Sequence, residues 1–442
     1  MLRLPTLAPR RLLTLSLTLA AALATLGLTG PARADYGSPT LGVITAQTFV
    51  DPITHVGPAA GNGTTDDYAA LQDMISYALY HNEAVLFEPG KYRITKTLMI
   101  ALNTASSQVS GFRIAGLAGP NPYGMGQGVC IFLDANSTTQ PAVLEVGQGA
   151  FYNMTIENLG LTSNVPNFTT PYGLYFAEQE FSHVKVHMVD VENVGTDYAV
   201  VAGVTKGGNG EALTLENCCG GGKCFYFNNC GQAYYHRILN CQGGALNGGV
   251  FLKIGNPNGA HDLDVSSISC TFGTGPLRNT FLEVAGVSGT INVKGGRVES
   301  CDTILSYWNG GPGGGSGIVT VEGLDFDQMQ GLFPILDASH YGIPNVPGDP
   351  QYTNKILRCK IGCASAKPLT VAPMAGEDLS RNYFDQCVFC GGWTTRITDI
   401  SNQPALNAMQ VRVRDCRTGI PGDSLLDDLH DYTPTPPARG GY

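Results

Sequence analysis

Helical periodicity is the first thing this chain lacks. No apolar pattern of helical period and ten or more residues recurs along its 442 residues, which excludes leucine-rich, ankyrin and βαβ repeats. Past Leu28 no apolar run is long enough to cross a bilayer. Phosphate loops, nucleophile elbows and dinucleotide fingerprints are all missing. Basic residues are scarce as well. The 26 lysines and arginines, less four arginines in an N-terminal leader, leave 22 against 36 acidic residues, a net charge of about −14. Nucleic acid and anionic membranes are therefore excluded as partners.

The leader is residues 1–34. Arg3, Arg10 and Arg11 precede an apolar run from Leu12 to Leu28, and Ala32-Arg33-Ala34 offers a small-x-small cleavage site. That layout predicts a signal peptide and a secreted or periplasmic mature protein. Arg10-Arg11 leaves the general and twin-arginine export routes both open. The 13 cysteines are an odd number, so an exported chain keeps at least one thiol free. Cys219, Cys224 and Cys230 are the better disulfide candidates, and Cys387-x-x-Cys390 alone is weak zinc spacing.

What the chain does have is a repeated phrase. Ile156-Glu157-Asn158-Leu159, Val191-Glu192-Asn193-Val194, Leu215-Glu216-Asn217-Cys218 and Ile238-Leu239-Asn240-Cys241 share one grammar. Weaker copies end at Cys270, Gly296, Leu324, Cys359, Cys387 and Cys416. The copies are 23 to 35 residues apart, alternate apolar and polar positions, and are parted by glycine-rich turns. A fixed period in this range means stacked units, and the alternation makes each unit a coil of short strands. The fold class is thus all-β, a parallel β-helix of about ten coils, and its right hand is what the family resemblance given below implies. The asparagines stack as an amide ladder that satisfies turn backbone groups. The marker cysteines line the interior as small apolar groups.

Residues 61–94 read as a cap. Thr64 or Thr65 starts a helix with Asp66 and Asp67 in its first turn, and Leu71, Met74, Ile75, Ala78 and Leu79 form its apolar stripe. A stack of coils exposes unpaired edges at its end, and this helix is the natural lid. The repeat domain spans 35–422, and the polar, Pro-rich 423–442 is a flexible tail.

Gly61-Asn62-Gly63-Thr64-Thr65-Asp66-Asp67-x-Ala69-Ala70-Leu71-Gln72, followed by Val85-x-Phe87-x-Pro89-Gly90-x-Tyr92, resembles the opening of the pectate-lyase superfamily of right-handed β-helices. That group holds polygalacturonase-like and rhamnogalacturonase-like hydrolases, lyases, epimerase-like proteins and phage tailspikes. The resemblance implies a polysaccharide substrate lying along the first-strand face of the coils. It does not fix the reaction. The Asn-Thr-Asp, Asp-Asp, Gly-His-Gly and Arg-Ile-Lys motifs of polygalacturonase-like enzymes are missing, as is the lyases' calcium-binding aspartate set.

Two clusters carry the chemistry. Aligned third strands place Arg297 beside Asp325 and Glu299 beside Asp327, all facing outward, with Asp302 nearby. Carboxylates that close raise each other's proton affinity, which suits glycoside cleavage. The catalytic expectation is therefore Glu299, Asp302, Asp325 and Asp327. Aligned first strands place Tyr226, Lys253, Glu283 and Ser306 on one outward row. With Phe251, Arg297 and Trp308 these give a sugar-binding expectation of aromatic rings beside charged groups. The leading function is a polysaccharide-degrading glycoside hydrolase. A uronate lyase or epimerase led by Lys253 or Arg297, and a glycan-binding β-helix without catalysis, are the alternatives. No metal site or cofactor is expected, except calcium if the chain is a lyase. The assembly is a monomer or homotrimer. His183-x-x-x-His187 reads as an exposed strand face rather than a metal site.

Overall fold

A computed structural model describes residues 42–418 apart from 123–127, 135–139, 165–171, 178–179, 193–197, 204–209, 229–231, 246, 256–259, 285–287, 309–316, 341–351, 368, 373–379, 394–397 and 400–410. The chain divides after Ser38, and every described residue belongs to the second unit. The expected leader and tail lie outside the described residues.

Among the described residues all strand pairings are parallel, and the chain winds into a right-handed β-helix. Eleven short strands stack into one sheet, called here the groove sheet. They run from Leu98–Ile100 through Val250–Ile254, Thr280–Val284, Thr303–Trp308 and Leu336–His340 to Thr398–Asp399. The remaining strands form a 25-stranded long sheet that bends around the other sides of the coil. One turn of the helix leaves Thr280–Val284, follows Ser288–Glu299 in the long sheet, and returns through Ser300 to Thr303–Trp308.

Each long-sheet strand folds at a residue in the left-handed region. Register aligns Asn158, Met188, Asn217, Asn240, Ser267, Gly295, Gly323, Arg358, Gln386 and Asp415 in one column, with φ between 49° and 68°. Asparagine holds the bend at Asn158, Asn217 and Asn240, but Met188 separates the first from the other two and the Asn217 amide meets His187, so the expected ladder of stacked amides is not continuous. In the second coil of the column Met188, not Asn193, holds the bend, and Asn193 lies outside the described residues. In the fifth coil Ser267 holds it, two residues ahead of the expected Ser269-Cys270. After the bend Gly295-Gly296 the chain passes so close to its neighbour that a Cβ on Gly296 would sit 2.2 Å from the Ile268 carbonyl oxygen.

Residues just past the column point inward. Cys218 and Cys241 stack there, as do Cys359, Cys387 and Cys416. Cys270 departs from the expected column and joins Cys224 and Cys301 in the interior. All twelve cysteines among the described residues are free thiols, Cys219 and Cys224 included. Cys230 lies outside the described residues.

The cap forms as a helix, Tyr68–His81, that buries Leu71, Met74, Ile75, Ala78 and Leu79. It begins after Asp67 rather than at Thr64 or Thr65. The Asp67 carboxylate accepts the Ala60 and Gly61 N–H groups at 2.6 and 3.1 Å and so ties the lead-in loop to the helix. Asp66 accepts the Tyr68 N–H. The lid also closes the first edge of the groove sheet. The Gln72 amide donates to the Met99 carbonyl at 2.9 Å and accepts its N–H at 2.8 Å. An open strand edge is thereby satisfied by one side chain. No described helix is long and apolar enough to cross a membrane.

Candidate functional site

The groove sheet has an outer face whose residues stack in register, coil upon coil. One row runs Glu145, Tyr175, Val201, Tyr226, Lys253, Glu283, Ser306 and Asp337. It arises from a repeated step in which an inward apolar residue precedes an outward variable one: Leu252-Lys253, Leu282-Glu283, Leu305-Ser306 and Leu336-Asp337. An outward row of a solenoid is ordinarily wet, but this one is not. Ser306 is 0% exposed and Asp337 4%. The middle of this outward row is covered by the protein itself rather than open to solvent.

Its two halves differ. Toward the lid the floor is aromatic. Tyr172 and Tyr175 have ring centroids 5.1 Å apart and Tyr198 and Tyr226 5.0 Å apart, around Val201, Ala142 and Val250. Lys223 Nζ sits 5.4 Å over Tyr198, and Lys253 Nζ 5.4 Å over Tyr226. Beyond Tyr226 the floor is polar and paired. Lys253 reaches Glu283 at 2.9 Å, and Arg278, from the loop before Thr280–Val284, grips Asp337. Ser306 stands between the two carboxylates in register, and its Oγ has no hydrogen-bond partner.

The expected sugar-binding residues divide accordingly. Tyr226, Lys253 and Glu283 lie on the row in the predicted order. Phe251 does not line the groove. Phe251 and Leu252 both turn inward, because the strand bends there and breaks simple alternation. The Phe251 ring is 0% exposed, stacked on Phe281 at 5.4 Å and edge-on to Phe225 at 5.5 Å. The Trp308 side chain lies outside the described residues, and its backbone pairs with His340. Asp337, Arg278, Tyr175 and Tyr198 were not anticipated. The Leu336-Asp337 step was the readable signal for Asp337. Arg278 arrives from a loop and leaves no such trace.

The expected catalytic cluster has the predicted register, with Arg297 opposite Asp325 and Glu299 opposite Asp327. Its chemistry differs from the expectation. The Arg297 guanidinium sits 2.8 Å from both Glu299 and Asp327, and Lys360 sits 3.0 Å from Asp325. Thr271 donates to Glu299 at 3.2 Å. A cation between two carboxylates removes the repulsion that would make them share a proton. Asp302 is not part of this cluster. It is buried, and accepts the Asn279 and Leu332 N–H groups at 3.0 and 3.3 Å. Burial raises its pKa above the ordinary carboxylate value, against the opposing pull of those two bonds.

Asp190, Glu192 and Cys219 bring three potential ligand atoms within 4.8 Å of one another on the long sheet. Burial first, then the Asp190 and Glu192 charges, push the Cys219 thiol up to about 12. The thiol and the Asp190 carboxyl share a hydrogen bond. His183 lies in an exposed left-handed bend, and His187 Nε2 meets the Asn217 amide at 3.1 Å.

No family model matches this chain, and no curated protein sequence does. Solved structures do. The PfbA surface adhesin of Streptococcus pneumoniae aligns at a TM-score of 0.51 and 10% identity, over 81% of this chain and 89% of that one. The N-terminal fragment of bacteriophage Phi29 gene product 12 aligns at 0.52 and 12%, over 92% and 69%. The A-module of the Azotobacter vinelandii mannuronan C-5 epimerase AlgE4 aligns at 0.45 and 14%, over 82% and 94%. At such identities the likeness is one of fold, and the fold is the right-handed parallel β-helix.

Proposed function

We propose that the groove sheet binds a polysaccharide chain and hydrolyses it between Glu283 and Asp337. The observation that carries this reading is the shielded outward row in which tyrosines give way to Lys253, Glu283, Ser306 and Asp337. Sugar rings stack their apolar faces on tyrosine, and their hydroxyls need the polar groups that follow. Glu283 and Asp337 are two coils apart, about 10 Å along the sheet. That is near the roughly 6.5–9.5 Å between the carboxyls of inverting glycosidases, and about twice the separation in retaining ones. Asp337, held by Arg278, takes the proton of the attacking water. Glu283, the more open of the two, delivers one to the leaving oxygen once substrate has displaced Lys253 from it and its carboxyl has taken up a proton. The leader-like residues 1–34 fit the same reading, since a polymer substrate is met outside the cell.

The Glu299–Asp327 face is the weaker catalytic candidate, because Arg297 bridges its carboxylates. A binding-only reading draws on one feature of the groove. Each of its carboxylates already has a cation, Lys253 for Glu283 and Arg278 for Asp337. The test is release of reducing ends from a panel of neutral and uronate polysaccharides, with the product anomer followed by NMR and unsaturated products by ultraviolet absorbance. Glu283→Gln and Asp337→Asn should each lower turnover by on the order of 10²–10⁴. Turnover that survives both substitutions would sink the assignment. A retained anomer would remove the two-coil geometry, and unsaturated ends would move the reaction to elimination.

A further inference from the structure

We propose that Cys218 and Cys241 are a site of oxidative cross-linking, joined by a disulfide when the chain folds in an oxidising medium. Both are free thiols in the structure, and they are 1% and 0% exposed. Register brings them together. Glu216 stands opposite Leu239 and Cys219 opposite Gln242, so Cys218 faces Cys241 on the next coil. The Gln242 N–H donates to the Cys218 carbonyl at 2.8 Å, which fixes that alignment. Stacked strands lie about 4.8 Å apart, inside the roughly 4.4–6.8 Å that a disulfide spans between Cα atoms.

The two side chains also run in step. The Cys218 thiol donates to the Val186 carbonyl at 3.6 Å and the Cys241 thiol to the Leu215 carbonyl at 3.5 Å. Val186 and Leu215 are themselves register neighbours, so the sulfurs stack one coil apart. They share a hydrogen bond, which raises the Cys218 pKa and lowers that of Cys241. The thiol-to-carbonyl bonds given up on oxidation are weak, because S–H is a poor donor. Neither sulfur has a rival on its column. Val189 lies beyond Cys218 and Ile268 beyond Cys241, both apolar and buried. In the other run, Cys359, Cys387 and Cys416, the middle sulfur has a neighbour on each side, and no single pairing is set.

The oxidant is a low-molecular-weight disulfide such as oxidised glutathione. One cysteine, as thiolate, attacks a sulfur of that disulfide and expels the other as a thiolate. The second cysteine loses its proton, attacks the cysteine sulfur of the mixed disulfide and expels the remaining thiolate. Two cysteine thiols thus lose two electrons and two protons, and one small disulfide becomes two thiols. Both steps precede closure of the coil, since neither sulfur can be reached afterwards. Cys241 follows Cys218 by 23 residues, and the bond closes one whole turn of the helix through Cys219–Gly221, Lys223–Phe227 and Gln232–Leu239. Such a link restricts the unfolded chain.

The experiment refolds the full chain from urea in a buffer of reduced and oxidised glutathione. Free thiols are then alkylated in denaturant, and tryptic peptides are mapped without reduction. Peptide 207–223, which holds Cys218 and Cys219, should be joined to peptide 238–253, whose one cysteine is Cys241. Cys219→Ser should keep the link and Cys218→Ser should abolish it. The folding constant of the oxidised wild type should exceed that of the reduced protein by on the order of a hundredfold in urea titration, a gap that closes in Cys241→Ala. Dithiothreitol should open the bond only once urea is added. Alkylated Cys218 and Cys241 in the oxidised wild type, a link that Cys219→Ser removes, or a link from Cys241 to any other peptide would overturn the proposal. So would an equal gap in Cys241→Ala, or a bond that dithiothreitol opens in the folded protein.

Discussion

Replacing Phe251 by alanine should cost stability and spare the groove. The ring is 0% exposed inside the coil, with Phe281 stacked on one side at 5.4 Å and Phe225 edge-on at 5.5 Å. Removing a buried phenylalanine costs about 3–5 kcal/mol, because the neighbours close the cavity only in part. The two ring pairs account for about 1–3 kcal/mol of that loss. The site cannot collapse easily, since Phe281 is itself held by Phe326 at 5.5 Å. We therefore expect about 4 kcal/mol, read as a lower urea midpoint by circular dichroism. Glycan affinity at low denaturant should be unchanged. Tyr226→Ala should show the opposite pattern, a small stability change and a loss of binding, because Tyr226 lies on the outward row. A Phe251 variant that keeps its stability and loses affinity would place that ring in the groove and refute the inward assignment.

Three further outcomes follow from the same geometry. Arg297→Gln should leave turnover on the groove substrate unchanged, because Glu299 and Asp327 lie on the other sheet; a lost rate would return catalysis to that face. Asp302→Asn should gain on the wild type as pH rises. The folded Asp302 pKa is raised, so the native state holds its proton more tightly than the unfolded chain. Wild-type stability then falls from about pH 4, the unfolded carboxylate value, up through the raised folded value. The neutral amide escapes that loss, and denaturation midpoints compared at acid and neutral pH give the sign. Met188→Asn should stabilise the fold by about 0.5–1 kcal/mol in urea titration. Met188 holds φ 51° between Asn158 and Asn217, and asparagine tolerates the left-handed region better than methionine.

The coil period could be read from sequence wherever the bend carried asparagine or glycine, because those residues are selected by the left-handed conformation itself. Where Met188 and Ser267 hold the bend, nothing in their chemistry announces it, and the marker slipped to Asn193 and Ser269. The lid stripe was legible because five buried positions at helical spacing leave a plain pattern. The row Tyr226, Lys253, Glu283 was legible for the equivalent reason in strands. Phe251 was misread because a strand that bends places two successive residues inward, and alternation then predicts the wrong face. The Arg297 bridge was also invisible. Register gave its neighbours, but the direction a long guanidinium takes is settled by the charges around it.

Ser306 offers a sharp test of how the row is packed. A buried hydroxyl without a partner costs about 1–3 kcal/mol relative to one that is bonded. The same row carries Val201 with full burial, so an apolar side chain fits the position. Ser306→Ala should therefore raise the urea midpoint of the protein, by up to about 1 kcal/mol. A loss of stability instead would show that the hydroxyl is bonded in the folded chain, and that the row is held together there by a polar contact rather than by packing alone.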